Sequence, residues 1–174
     1  LQGFTAVEKP DGTHAITEFI GALPRVKLYT QWERITNDTA NLARLVSPSF
    51  DPTRSVLTSE PVAYSAKADN SVAEASIADY QGNTITVKTK SSAPGVLLLN
   101  DKWDPNFQVT VDGKPTALLR CNYIMRGAEV PAGEHTVVFH FAPPMHSLYL
   151  SIAALVVAFA LCGILGRGGR AAQA

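Results

Sequence analysis

The chain has 174 residues, fifteen basic and fifteen acidic, with 46% hydrophobic residues, two cysteines and four histidines. It contains no basic patch or Lys/Arg run, which argues against nucleic acid as a partner and against electrostatic attachment to an anionic membrane surface. The two cysteines, Cys121 and Cys162, are not placed to pair with each other. His14, His135, His140 and His146 show no ligand spacing beyond the i, i+5 pair His135/His140, which would face opposite sides of a strand, so no metal and no cofactor is expected.

Gly and Pro cut most of the chain into apolar segments of strand length. Val26 to Trp32 alternates apolar with mostly polar residues, the signature of a half-buried strand. One helix follows: Thr36 or Asn37 can cap Asp38 to Val46, where Leu42, Leu45 and Val46 form an apolar stripe, and Pro48 ends it. Ala75–Tyr80 and Thr84–Thr89 read as a hairpin turning at Gln81-Gly82-Asn83. Gly95 to Leu99 is continuously apolar and suits a central strand. Phe107–Val111 runs into the tight-turn signal Asp112-Gly113 and returns through Thr116 to Arg120. Pro131-Ala132-Gly133 then turns into Thr136–Phe141, the clearest strand in the chain. Many short strands with regular turn signals predict a mainly β fold. The expected form is a jelly-roll-like antiparallel β-sandwich with one short helix.

Beyond Pro143-Pro144, Ser147 to Gly166 is a twenty-residue run without charge. At about 1.5 Å rise per residue it spans roughly 30 Å, the thickness of a bilayer's hydrocarbon core. Arg167 and Arg170 follow at once and favour a cytoplasmic C-terminus. The expected organisation is an extracytoplasmic domain over 1–142, a Pro-rich link over 143–146, a transmembrane helix over 147–166 and a cytoplasmic tail over 167–174. The location is then the cytoplasmic membrane, and so short a link should hold the sandwich close to the bilayer. Cys121 falls outside and Cys162 within lipid. Ser151, Ala154, Ala158 and Cys162 recur at steps of three and four and can let another helix approach closely. The chain begins at Leu1 with no signal-type stretch, so it is expected to be the C-terminal piece of a longer membrane protein.

No nucleophile elbow, phosphate-cradling Gly-rich loop or zinc-protease motif is present. Two polar stretches stand out, Asn100–Phe107 and Arg120–Gly127. Within them Asp101, Trp103, Asp104, Asn122, Tyr123 and Arg126 are the candidate ligand residues. Carboxylates and amides bind sugar hydroxyls, and an exposed indole stacks on a sugar face. The competing reading is structural, with Trp103 capping the core and Arg126 pairing with Asp104 to fix two loops. Asp101 and Asp104 share one loop, whereas the paired carboxylates of a glycosidase face each other across a sugar.

The same segments carry a likeness. Ala22-Leu23-Pro24-Arg25, Phe50-Asp51-Pro52, Pro94 to Asp101, Val109 to Pro115, Arg120 to Gly127 and Val130 to Val137 come in the order and spacing of the C-terminal outer domain of YfhO-family bacterial membrane proteins. The chain resembles that domain from about residue 20 onward. The resemblance implies a multi-pass protein akin to C-type glycosyltransferases, which use lipid-linked sugar donors at the outer membrane face. It implies as partners the lipid bilayer, other transmembrane helices of the same protein, and a glycan or lipid-linked sugar. The family's catalytic carboxylate belongs to an early outer loop, so no catalytic residue is assigned here. The alternative is a non-enzymatic structural, docking or carbohydrate-binding domain held in the membrane.

Overall fold

The computed structural model describes residues 4–8, 15–66 and 73–171; His14 lies outside them. The chain divides into two units, Leu1–Phe141 and Ala142–Ala174. In the first, β1 (Phe4–Glu8) and β2 (Ala15–Phe19) form a separate antiparallel hairpin that the sequence pattern did not announce. Then come β3 (Val26–Tyr29), β4 (Gln31–Arg34), α1 (Asp38–Leu45), β5 (Ser55–Thr58), β6 (Ala73–Gln81) and β7 (Thr84–Ser91). The unit closes with β8 (Gly95–Lys102), β9 (Phe107–Val111), β10 (Lys114–Thr116), β11 (Leu118–Cys121), β12 (Met125–Val130) and β13 (Gly133–Phe141). They build a five-stranded sheet in the order β10-β9-β13-β7-β6 and a six-stranded sheet in the order β3-β8-β12-β11-β5-β4. The expected mainly β sandwich with one short helix is what forms.

Two apolar layers hold it. Between the sheets, Leu97 and Leu99 of β8 meet Val87 of β7 and Val137 and Phe139 of β13, all fully or nearly fully buried. On the other face of the six-stranded sheet, Val96 and Leu98 join Tyr29, Val56, Leu119 and Cys121. Because successive strand residues point to opposite faces, a strand between two apolar layers must be apolar at every position. That is the physical reason for the unbroken Gly95–Leu99 run.

Three segments differ from the sequence reading. The Val26–Trp32 strand breaks at the buried Thr30 into β3 and β4, which form opposite edges of one sheet. A single residue joins the two edges, so the sheet curls. The β4–α1–β5 connection brings β5 back parallel to β4, with Gln31 opposite Ser55, as a crossover through a helix permits. The strand after Asp112-Gly113 also divides. Lys114–Thr116 pairs with β9, and past Ala117 the chain changes sheet to pair Leu118 with Ala128. In α1, Asn37 is the cap, its Oδ1 accepting the Ala40 N–H at 2.9 Å. The apolar stripe does not face the core: Leu42 and Val46 are 43% and 80% exposed, while Asn41 is buried. The polar side docks instead, since Arg44 donates to both Glu33 carboxylate oxygens at 2.7 and 2.8 Å and lies over the Phe50 ring.

In the second unit, α2 (His146–Ala171) is a 26-residue helix, and its His146–Gly163 stretch is long and apolar enough to cross a membrane. It starts one residue earlier and runs five residues further than the apolar run alone indicated. Ser151, Ala154, Ala158 and Cys162 are exposed along it, and Ser151 Oγ donates to Ser147 O at 2.8 Å.

Candidate functional site

The two polar stretches meet because β8 and β12 pair, and the pairing extends further than the sequence indicated. Asn100, Asp101 and Lys102 belong to β8, with Lys102 opposite Met125 across a bulge between Met125 and Arg126. The loop proper is Trp103–Asn106, joined to the β11–β12 turn by the Trp103 N–H donating to Ile124 O at 2.7 Å. Asp104 shapes this loop: its Oδ1 accepts from the backbone N–H and the amide Nδ2 of Asn106, both at 2.8 Å. Such an Asx turn explains the Asp-Pro-Asn sequence.

The opposing turn is strained. Asn122 and Tyr123 have φ of 42° and 72°. The left-handed region is tolerable for Asn but costly for an aromatic residue. Three contacts hold the turn. Asn122 Oδ1 accepts the Leu57 N–H at 2.9 Å, the Asn122 N–H donates to Leu57 O at 3.0 Å, and Arg120 Nε donates to Tyr123 O. Arg120 also lies over the Tyr123 ring and pairs with Asp38 at 3.2 Å. Between loop and turn is a hollow of about 390 Å³ lined by Lys102, Trp103, Asp104, Pro105, Arg120, Tyr123 and Ile124. Its chemistry combines indole and phenol rings, an exposed isoleucine and two cations. The Trp103 Nε1–H is buried without a hydrogen-bond partner.

The six candidate residues thus separate into groups. Trp103, Asp104 and Tyr123 line the hollow, whereas Asn122 spends its amide oxygen on Leu57. Asp101 and Arg126 lie elsewhere, on the side of their strands that carries Leu99. Arg126 Nη2 donates to Asp101 Oδ2 at 2.9 Å, so its ion-pair partner is Asp101 and not Asp104. Arg25 completes this group, giving Asp101 two parallel bonds from Nε and Nη2 at 3.1 and 2.9 Å. Sequence reading missed Arg25 as a site residue, although it ends the Ala22–Arg25 segment. The arginines share a carboxylate but shift oppositely. Hydrogen bonding to Asp101 raises the pKa of the exposed Arg25, while burial lowers that of Arg126 despite the same partner.

A larger open concavity, about 630 Å³, lies across β6, β7 and β13 and is lined by Glu74, Ser76, Lys88, Lys90, Glu134 and Thr136 among others. The signal for it was the polar half of the period-2 alternation in those strands. Among the described residues, no three His, Cys, Asp or Glu side chains gather where they could hold a metal ion.

A family model described as bacterial membrane protein YfhO matches residues 53–153, from before β5 into the first turns of α2. No curated protein and no solved structure matches the chain.

Proposed function

Because this chain belongs to the YfhO family of bacterial membrane proteins, we propose that it serves as an accessory outer domain of a multi-pass membrane glycosyltransferase. The parent enzyme would transfer sugar from a polyprenyl-phosphate donor to a cell-envelope polymer. Association with the membrane follows from the family and from the α2 stretch that is long and apolar enough to span a bilayer. The sandwich is assigned to the extracytoplasmic side and α2 to the closing position of a helix bundle, its Ser151–Cys162 seam against a neighbour. No residue of this chain is given a catalytic role.

The observation that carries this reading is the hollow beside Trp103 and Tyr123. A sugar presents an apolar face and a rim of hydroxyls, and this site sets aromatic rings beside Asp104, Lys102 and Arg120. The strained Tyr123 backbone agrees with a site whose geometry is fixed before a ligand arrives.

The chain has two tryptophans, Trp32 and Trp103. In the full chain carrying Trp32→Phe, indole emission then reports Trp103 alone. Titration with a short-chain polyprenyl-phosphate hexose, maltohexaose and chitohexaose is expected to give a saturable change with at least one probe. No saturable change with any of them removes the saccharide site.

One observation favours a second reading, a docking domain without a glycan site. Leu42 and the C-cap residue Val46 place an exposed apolar pair at the end of α1. A partner protein or another segment of the parent protein would cover it.

A further inference from the structure

We propose that the Arg25–Asp101–Arg126 cluster is an anion site that takes a phosphate ester. The cluster sits where β3 begins, β8 ends, β9 and β12 begin and β13 ends, so it caps one end of the sandwich. It holds two guanidinium groups and one carboxylate. Asp101 already accepts three N–H bonds, two from Arg25 and one from Arg126. Among the described residues no other carboxylate pairs with either arginine, so one positive charge stays without a counter-charge.

That excess is held in place by the fold. Arg126 is 5% exposed; one amino group donates to Lys102 O at 3.1 Å, and its Nε–H is buried without a partner. The Phe107 ring lies 3.8 Å from its guanidinium carbon, with Phe141 packed on Phe107 at 5.0 Å. An aromatic face attracts a cation but does not neutralise it. Arg25 is the accessible member: its side chain is 46% exposed and rests over the Tyr80 ring at 4.8 Å. A buried cation short of an anion, beside an exposed guanidinium fork whose Nη1 side Asp101 leaves open, matches the several acceptor oxygens of a phosphate. The phenol of Tyr80, a residue 55% exposed, adds a donor beside the fork. The site needs only phosphate and stands apart from the sugar reading of the Trp103 hollow. A lipid headgroup and a soluble phosphate ester offer the same chemistry.

The full chain in a neutral detergent, at constant ionic strength set with chloride, is titrated with inorganic phosphate, glycerol phosphate and dihexanoyl phosphatidic acid. The thermal unfolding midpoint is followed. A saturable rise is expected in wild type and in Lys114→Gln, whose charge lies at the far end of β9. Arg25→Gln is expected to weaken phosphate binding at least about tenfold, and Arg25→Lys, which keeps the charge but not the fork, by about threefold. Asp101→Asn removes the competing carboxylate and is expected to bind phosphate at least about tenfold more tightly, or to need phosphate to fold. Tighter binding of the short-chain lipid than of glycerol phosphate assigns the site to headgroups, and equal binding assigns it to soluble esters. No saturable response in wild type up to about 50 mM, or the same response in Arg25→Gln as in Lys114→Gln, overturns the proposal.

Discussion

Asp101 and Asp104 are three residues apart and do unrelated work. Asp101 binds arginines 76 and 25 residues away, and Asp104 folds its own loop. The sequence shows both as polar residues after an apolar run, and nothing local distinguishes them. The partner of an ion pair is set by which strands pair, so the expectation that Arg126 would meet Asp104 had no means of being corrected before the fold. Asp112 was legible as a turn residue, and the structure adds its electrostatic role. Its carboxylate accepts the Thr136 N–H at 2.8 Å and bonds His135 Nδ1 at 2.6 Å, and these bonds hold it below the usual carboxylate range. The bond to Asp112 in turn holds His135 above its ordinary value. A histidine raised in the folded state stabilises fully below its unfolded pKa, about 6.5, and loses that contribution as pH rises through the folded value. A lowered aspartate contributes above about pH 4 and loses its contribution as pH falls through its folded value. The contact is therefore strongest between about pH 4 and pH 6.5. An NMR titration should show the His135 pKa raised in wild type and returned to its ordinary value in Asp112→Asn; equal values in both would remove the pair.

At the scale of elements, the hairpin over β6 and β7 was the easiest to read. Alternation of period two and the Gln81-Gly82-Asn83 turn are both local signals, and Gly82 takes the positive φ of 51° such a turn uses. The β3–β4 break was illegible, because one threonine at an apolar position of the Val26–Trp32 alternation does not mark a bend; only closure of the curled sheet requires it. Helix α1 was legible with its cap, but the side by which it docks was not. Apolar spacing identifies a stripe without stating what covers it, and here the Arg44–Glu33 pair and buried Asn41 decide the docked side. Replacing Leu42 and Val46 together by serine is therefore expected to shift stability by under about 1 kcal/mol in chemical denaturation of the full chain. A core stripe would cost about 2–5 kcal/mol, and a loss of that size would contradict an outward-facing stripe.

Across the whole molecule, the long apolar helix and the β-rich class were legible because each depends on a repeated local pattern. Membership of the YfhO family adds what pattern alone does not, that the sandwich belongs to a bacterial membrane protein. Cys121 shows a limit of the sequence: which side of the membrane it lies on is a separate matter from its exposure, and within the domain it is fully buried, with its thiol pKa pushed up by that burial. It cannot serve as a surface reporter of sidedness. The placement of the candidate residues was half legible. Trp103, Asp104 and Tyr123 do share a hollow, while Asp101 and Arg126 belong to a separate charged cluster at the sandwich end. The central proposal is that a sugar would rest on Trp103 while chemistry would proceed on another part of a parent enzyme. The most direct measurement is the rate of sugar transfer from a polyprenyl-phosphate donor by the full-length protein, compared between wild type and Trp103→Ala at equal membrane abundance. The account predicts a loss of about tenfold or more with the fold intact, and an unchanged rate would contradict it.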